Sequence, residues 1–134
     1  MLKTITISTS KKEDFVDITS KVNKIVSESG VKEGICILFT PHATGAITIN
    51  ENADPNVPFD ILKALDEIIP QGKWKHDKID NNAAAHIKSS IIGPSQTIPI
   101  KNGYITLGTW QAIMFCEFDG PRGDRRIMVK IIKG

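Results

Sequence analysis

The sequence predicts a single α+β domain, with about three helices set against a mixed, mostly antiparallel sheet or sandwich of about seven strands. Three observations carry that expectation. Segments that alternate every two residues outnumber those with helical spacing, and the helices do not interleave with the strands as a βαβ series would. The third is size: 134 residues make one domain, and no linker, repeat or low-complexity tract divides residues 1–134. A hydrophobic share of 40% with 24% charged residues excludes a disordered, collagenous or disulfide-stapled chain.

The elements follow in order. Leu2, Thr4, Thr6 and Ser8 alternate with Lys3, Ile5 and Ile7, an opening strand, and Phe15-Val16 is a second short one. Ile18, Val22, Ile25 and Val26 recur at helical spacing behind a cap at Asp17 or Thr19, and Gly30 stands where a left-handed residue ends a helix. Gly34 to Phe39 is apolar on both parities, so it reads as a central strand covered on both faces. Ala43 to Asn50 returns as a strand. Phe59, Leu62, Leu65 and Ile69 mark a second helix stopped by Pro70-Gln71-Gly72, and a polar loop then holds Trp74 and His76. A third helix runs from about Asn82 to Ile92, capped by Asn81 or Asn82 and closed by Gly93-Pro94.

The last third is strand-rich. Asn102-Gly103 between Thr97–Ile100 and Tyr104–Leu107 is a hairpin signal. Trp110 to Phe118 alternates throughout: Trp110, Ala112, Met114, Cys116 and Phe118 share one face, and Gln111, Ile113, Phe115 and Glu117 the other. A charged turn from Asp119 to Arg125 leads into a buried closing strand at Ile127–Ile132.

Composition also bounds the partners. Seventeen Lys and Arg against fifteen Asp and Glu leave a net charge of +2, scattered rather than gathered into a stripe that would follow a phosphate backbone, so no nucleic acid is expected. The N-terminus lacks the apolar core of a secretion signal, and no window approaches the length needed to span a bilayer; no membrane association and a cytoplasmic location are expected. Cys36 and Cys116 lie in apolar runs without metal-finger spacing and read as reduced, buried thiols.

Chemistry concentrates on few residues. His42, His76 and His86 are the three histidines, and each falls at the end of an element among polar or small residues. Neutral imidazoles converging from a strand end, a loop and a helix could hold a divalent metal, zinc or magnesium, with a position open to substrate. Isolated histidines are the competing reading, since their spacing matches no metal motif. Glu51, Glu117 and Asp119 end strands, where a carboxylate can orient a ligating imidazole or act as a base. Glu117 stands among Phe115, Cys116 and Phe118 and so needs a partner; an ion pair with Arg125 or Arg126 is the alternative to a catalytic role. Arg122, Arg125 and Arg126 offer forks for phosphate or carboxylate, and Trp110 could stack on an aromatic ligand. No glycine-rich nucleotide loop or nucleophile elbow is present.

Six stretches taken together carry a resemblance: Pro41-His42-Ala43-Thr44, Ile49-Asn50-Glu51-Asn52-Ala53-Asp54, Asn82-Ala83-Ala84-Ala85-His86-Ile87-Lys88, Gly93-Pro94-Ser95, Leu107-Gly108-Thr109-Trp110-Gln111 and Glu117-Phe118-Asp119-Gly120-Pro121-Arg122. In this order they resemble the YjbQ family, also called UPF0047 or the secondary thiamine-phosphate synthase family, over nearly the whole chain. The resemblance implies a homotrimer and a metal-dependent thiamine-phosphate synthase activity, secondary in character, that joins a pyrimidine-methyl pyrophosphate to a thiazole phosphate. It implies a site in which Glu51, Glu117 and Asp119 are catalytic. Thr44, Asn50, Trp110, Gln111, Arg122 and Arg125 would bind a small phosphorylated substrate, and His42, His76 and His86 the metal. A metal-dependent hydrolase of a small phosphoester or ester, or a non-catalytic trimer that binds a small anion, is the alternative.

Overall fold

The two-residue alternations of the sequence form eight strands, and the helical spacings form three helices. The computed structural model describes residues 1–134. It runs β1 (Leu2–Ile7), β2 (Asp14–Asp17), α1 (Thr19–Ser29), β3 (Gly34–Phe39), β4 (Gly45–Glu51), α2 (Asn56–Ile68), a 3-10 turn over Lys75–Lys78, α3 (Ala83–Ile92), β5 (Ser95–Lys101), β6 (Tyr104–Ile105), β7 (Gln111–Glu117) and β8 (Arg125–Lys133). Five strands pair in the order β1-β8-β3-β5-β6 and three in the order β2-β7-β4. Every pairing is antiparallel. The protein is therefore α+β, with its strands divided between two sheets.

Alternation decides where the cores lie. Ile113 and Phe115 of β7 and Ile47 of β4 turn to an interior shared with α1 (Ile18, Val22, Val26) and with the inner face of the larger sheet, Cys36, Leu38, Ile127 and Val129 among them. Met114, Cys116 and Phe118 turn the other way, into a second core with Phe15, Ala46 and Ala85 under α2 and α3. The small sheet is thus buried on both faces. Each fully buried aliphatic side chain here is worth about 1.5–3 kcal/mol against exposure.

Local signals explain the element ends. Gly30 takes φ 73° at the end of α1. The hairpin turn has positive φ at both Asn102 (53°) and Gly103 (82°), as a two-residue type I′ turn requires. The caps differ from expectation. Ile18 occupies the start of α1, and Asp17 Oδ1 accepts the Thr19 amide at 2.9 Å from one residue further back. Asn82 does begin α3, but its side chain is drawn away to Asp119, and Asp77 Oδ1 instead accepts the Ala83 amide at 3.0 Å.

Three expectations about burial need correction. β3 is central in its sheet but covered on one face only: Ile35 and Phe39 point outward, 36% and 42% exposed. β8, expected to be buried, likewise leaves Ile132 at 43%, because nothing in this chain packs on that side. Trp110 precedes β7 rather than sharing its apolar face, and it is exposed, as is Phe59 on α2. No helix is long and apolar enough to cross a membrane, and both cysteines are buried free thiols.

Candidate functional site

Register sorts the candidate residues between the two ends of the small sheet. Gly45 of β4 lies opposite Glu117 of β7, and Glu51 lies opposite Gln111. Glu51, Asn50, Gln111 and Trp110 therefore occupy one end, while Thr44, Glu117 and Asp119 occupy the other, about 20 Å away along a seven-residue strand. A single chain does not gather them into one pocket.

At the Glu117 end the polar side chains satisfy one another. Glu117 is fully buried, and Arg125 bonds both its oxygens, through Nε at 2.9 Å to Oε1 and through Nη2 to Oε2. Thr9 Oγ1 donates to Glu117 Oε1 at 2.6 Å, and the Asp119 amide to Oε2 at 3.0 Å. Burial pushes the Glu117 carboxyl up, but Arg125, Thr9 and the Asp119 amide outweigh it and hold it below the usual carboxylate range. Arg125 also donates to Thr44 Oγ1 at 2.9 Å and is itself buried. Of the two partners the sequence offered Glu117, the fold chooses Arg125, and this guanidinium faces inward rather than toward a ligand.

Asp119 is the hub of a second, more open cluster. Its Oδ1 accepts from Lys12 Nζ at 2.5 Å; its Oδ2 accepts from Asn82 Nδ2 at 2.8 Å and from Arg122 Nη2 at 3.0 Å. Desolvation opposes its ionisation, yet Asn82, Lys12 and Arg122 together lower its pKa. The Lys12 and Arg122 side chains are each 52% exposed, so both can reach an anion from solvent.

The histidines divide two and one. His76, in the 3-10 turn, and His86, one turn into α3, pack edge to face with ring centroids 4.9 Å apart. With Trp74, Ala83 and Ile87 they line an open cleft of about 320 Å³. His76 Nε2 is buried and has no hydrogen-bond partner; Asp80 Oδ2 stands 3.5 Å away. Asp77 builds this loop: it accepts the Trp74 and Ala83 amides at both ends, which also lowers its pKa. His42 is committed elsewhere, its Nε2 accepting the Arg126 amide at 3.0 Å. Burial, then the Arg125 and Arg126 charges, push its pKa down, so the ring stays neutral at pH 7 and its remaining nitrogen carries the proton. No three His, Cys, Asp or Glu side chains of the chain are placed to hold a metal. The His76–His86 pair, with its orphaned buried nitrogen, fits half of such a site; zinc takes at least three protein donors, so the rest would have to come from outside this chain.

Sequence reasoning missed Thr9, Lys12 and Asp77, which sit in polar stretches where nothing marks one residue above its neighbours. It also missed Lys88, whose amine is fully buried and bonded to Glu13 Oε2 at 2.7 Å and to Asp66. The apolar stripe of α3 carried the only hint, since Lys88 falls between Ile87 and Ser89 on the buried side. Both carboxylates also line a cleft of about 720 Å³ between α2 and the β2 segment, together with Phe15 and Leu62.

Known proteins share this sequence pattern and fold. A family model described as UPF0047 protein YjbQ-like matches residues 3–134. A UPF0047 protein of Methanocaldococcus jannaschii is 52% identical over 132 residues, covering 98% of this chain and 94% of its own. The UPF0047 protein YugU of Bacillus subtilis is 48% identical over 125 residues, covering 91% and 92%. The crystal structure of a YbjQ-like protein of unknown function from Sulfolobus solfataricus superposes with a TM-score of 0.97 at 39% identity, covering 100% of this chain and 97% of that one. With the match running from the first strand to the last, the chain belongs to the YjbQ-like UPF0047 family.

Proposed function

We propose that the chain is one subunit of a cytoplasmic homotrimeric enzyme acting on a small phosphorylated substrate, and that its reaction is of the thiamine-phosphate synthase kind. The observation that carries this reading is the His76–His86 pair beside Trp74 in an open cleft. Through Asn82, at the start of the same helix, that cleft adjoins the Lys12–Asp119–Arg122 cluster. Heterolysis of the C–O bond of a pyrimidine-methyl pyrophosphate leaves a cationic carbon, which the thiazole nitrogen then takes up, and a pyrophosphate leaving group that carries three to four negative charges. Lys12 and Arg122 stabilise the leaving group, and Trp74 with the imidazoles presents aromatic faces to the pyrimidine. A divalent ion held by His76 and His86 with donors from a second copy would neutralise further charge on the pyrophosphate.

The trimer is supported by the bare face of the larger sheet, where Ile35, Phe39 and Ile132 stand exposed in adjacent strands. A head-to-tail ring of three would cover it and could bring the Glu51–Trp110 end of one copy to the histidine end of the next.

Assay of untagged protein with the pyrimidine pyrophosphate and thiazole phosphate, with and without chelator, tests the reading. Turnover that falls at least about 100-fold in His86→Ala, with the fold kept by circular dichroism, is the expected outcome. A second reading, a non-catalytic trimer that binds a small anion, is favoured by the saturation of Glu117 and Asp119, which leaves no free base at that end. Wild-type protein that binds pyrophosphate yet turns over neither substrate would replace the first reading by the second.

A further inference from the structure

We propose that the free edge of β1 and the facing side of α1 form a docking groove for an extended, acidic segment of another protein, bound by strand addition. β1 is the margin of the five-stranded sheet, with β8 on one side and no strand on the other. Met1 accepts the Ile131 amide at 3.1 Å, and this sets which facing residues exchange hydrogen bonds: Lys3 with Val129, Ile5 with Ile127, Ile7 with Arg125. Leu2, Thr4 and Thr6 therefore aim their amide and carbonyl groups away from β8. They are a ready ladder for one more strand.

The space beside them has the right form. A groove of about 530 Å³ is lined by the consecutive residues Lys3, Thr4, Ile5 and Thr6. One face of a strand would contribute only alternate residues, so the groove runs along the edge itself. Its far wall is Lys21, Lys24, Ile25 and Glu28, the three-and-four spacing of a single helical face. Three lysines against one glutamate make the groove cationic, and the Lys24–Glu28 contact, 3.9 Å between exposed side chains, neutralises little of it. Ile5 and Ile25 supply an apolar strip. The occupant that fits alternates acidic with apolar side chains and runs extended for about the length of β1.

A second copy of this chain is a poor occupant. β1 carries a lysine and no acid, so pairing it with its own copy would set two cationic grooves against each other. Lysine on an edge strand also discourages that pairing.

The test uses three blocked octapeptides that alternate valine with glutamate, glutamine or lysine, titrated by fluorescence anisotropy, with amide hydrogen exchange read at Thr4 and Thr6. The acidic peptide should bind at least tenfold tighter than the neutral one, weaken as salt rises, and protect both amides; the basic peptide should not bind. Thr4→Pro removes an edge donor that makes no bond within the chain, so it should abolish binding and leave the fold intact. Lys21→Glu combined with Lys24→Glu keeps the backbone and should reverse the preference to the basic peptide, so the proposal stays falsifiable if the proline variant does not fold. Failure of every peptide to bind, binding without protection of Thr4 and Thr6, equal binding of acidic and basic peptides, or a Thr4→Pro variant whose only change is a smaller assembly would each overturn it. The last would assign the edge to contacts between copies.

Discussion

Glu117 and Arg125 illustrate how one buried charge is made tolerable: every lone pair that water would satisfy is met by a guanidinium, a hydroxyl or an amide. Removing one partner leaves the other uncompensated. Glu117→Gln is expected to cost about 3–5 kcal/mol in urea unfolding, and the double variant with Arg125→Met to recover a large part of it. The pH dependence follows from the lowered pKa. The unfolded carboxylate binds its proton near pH 4.3, whereas the folded one resists it. The stabilisation is complete above about pH 4.3 and is lost as pH falls through the lowered folded value. An acid titration of the wild type should show this loss, and Glu117→Gln should flatten it. Gly120 is held for a different reason: a Cβ there would meet the Lys11 carbonyl oxygen at 2.1 Å, a backbone atom that cannot swing aside. Gly120→Ala should cost about 1–3 kcal/mol or more and loosen Asp119, its neighbour, visible as faster amide exchange at Asp119.

At the scale of elements, α3 works on two sides. Its start and first turn hold Asn82 and His86 toward the candidate site; its buried side carries Lys88, which ties α2 through Asp66 and the segment before β2 through Glu13. α2 otherwise rests on the half-buried contacts of Ile61, Leu62 and Leu65 with the second core: only its Pro58 is buried, and Phe59 and Ile68 face solvent. Lys88→Met leaves two carboxylates without a cation, but both reach water, Asp66 being 48% exposed, so the cost should be about 1–3 kcal/mol. Hydrogen exchange in α2 should rise more than in β7, which is pinned on both edges and both faces. The helices themselves were legible, because period and terminal glycines act over a few residues. Their caps were not: Asn82 has a capping side chain, and only the approach of Asp119 from thirty-seven positions away redirects it.

For the whole molecule, the uncovered face of the larger sheet has the greatest consequence. Equilibrium sedimentation of the wild type should give three times the 14.7 kDa of one chain. Phe39→Glu, on an exposed outward position of the central strand, should shift the mass toward one chain while changing the two cores little. A wild-type monomer would remove both the trimer and the shared site proposed for it. The apolar run Gly34–Phe39 reads as two-sided burial, whereas its outward side chains Ile35 and Phe39 are exposed in this chain; the proposed trimer would cover them.

The sequence by itself determined the α+β class, the order of the elements, the Asn102-Gly103 hairpin and the family, because alternation, turn chemistry and motif order are written in neighbouring residues. Only the tertiary structure decided that His76 meets His86 while His42 turns to Arg126, that Glu117 spends itself on Arg125, and that the two sets of candidate residues lie at opposite ends of one sheet. Those outcomes depend on strand register and on side chains brought together over separations from eight positions (Glu117 and Arg125) to eighty-four (His42 and Arg126). No local pattern encodes such distances; packing selects among the partners that composition makes available.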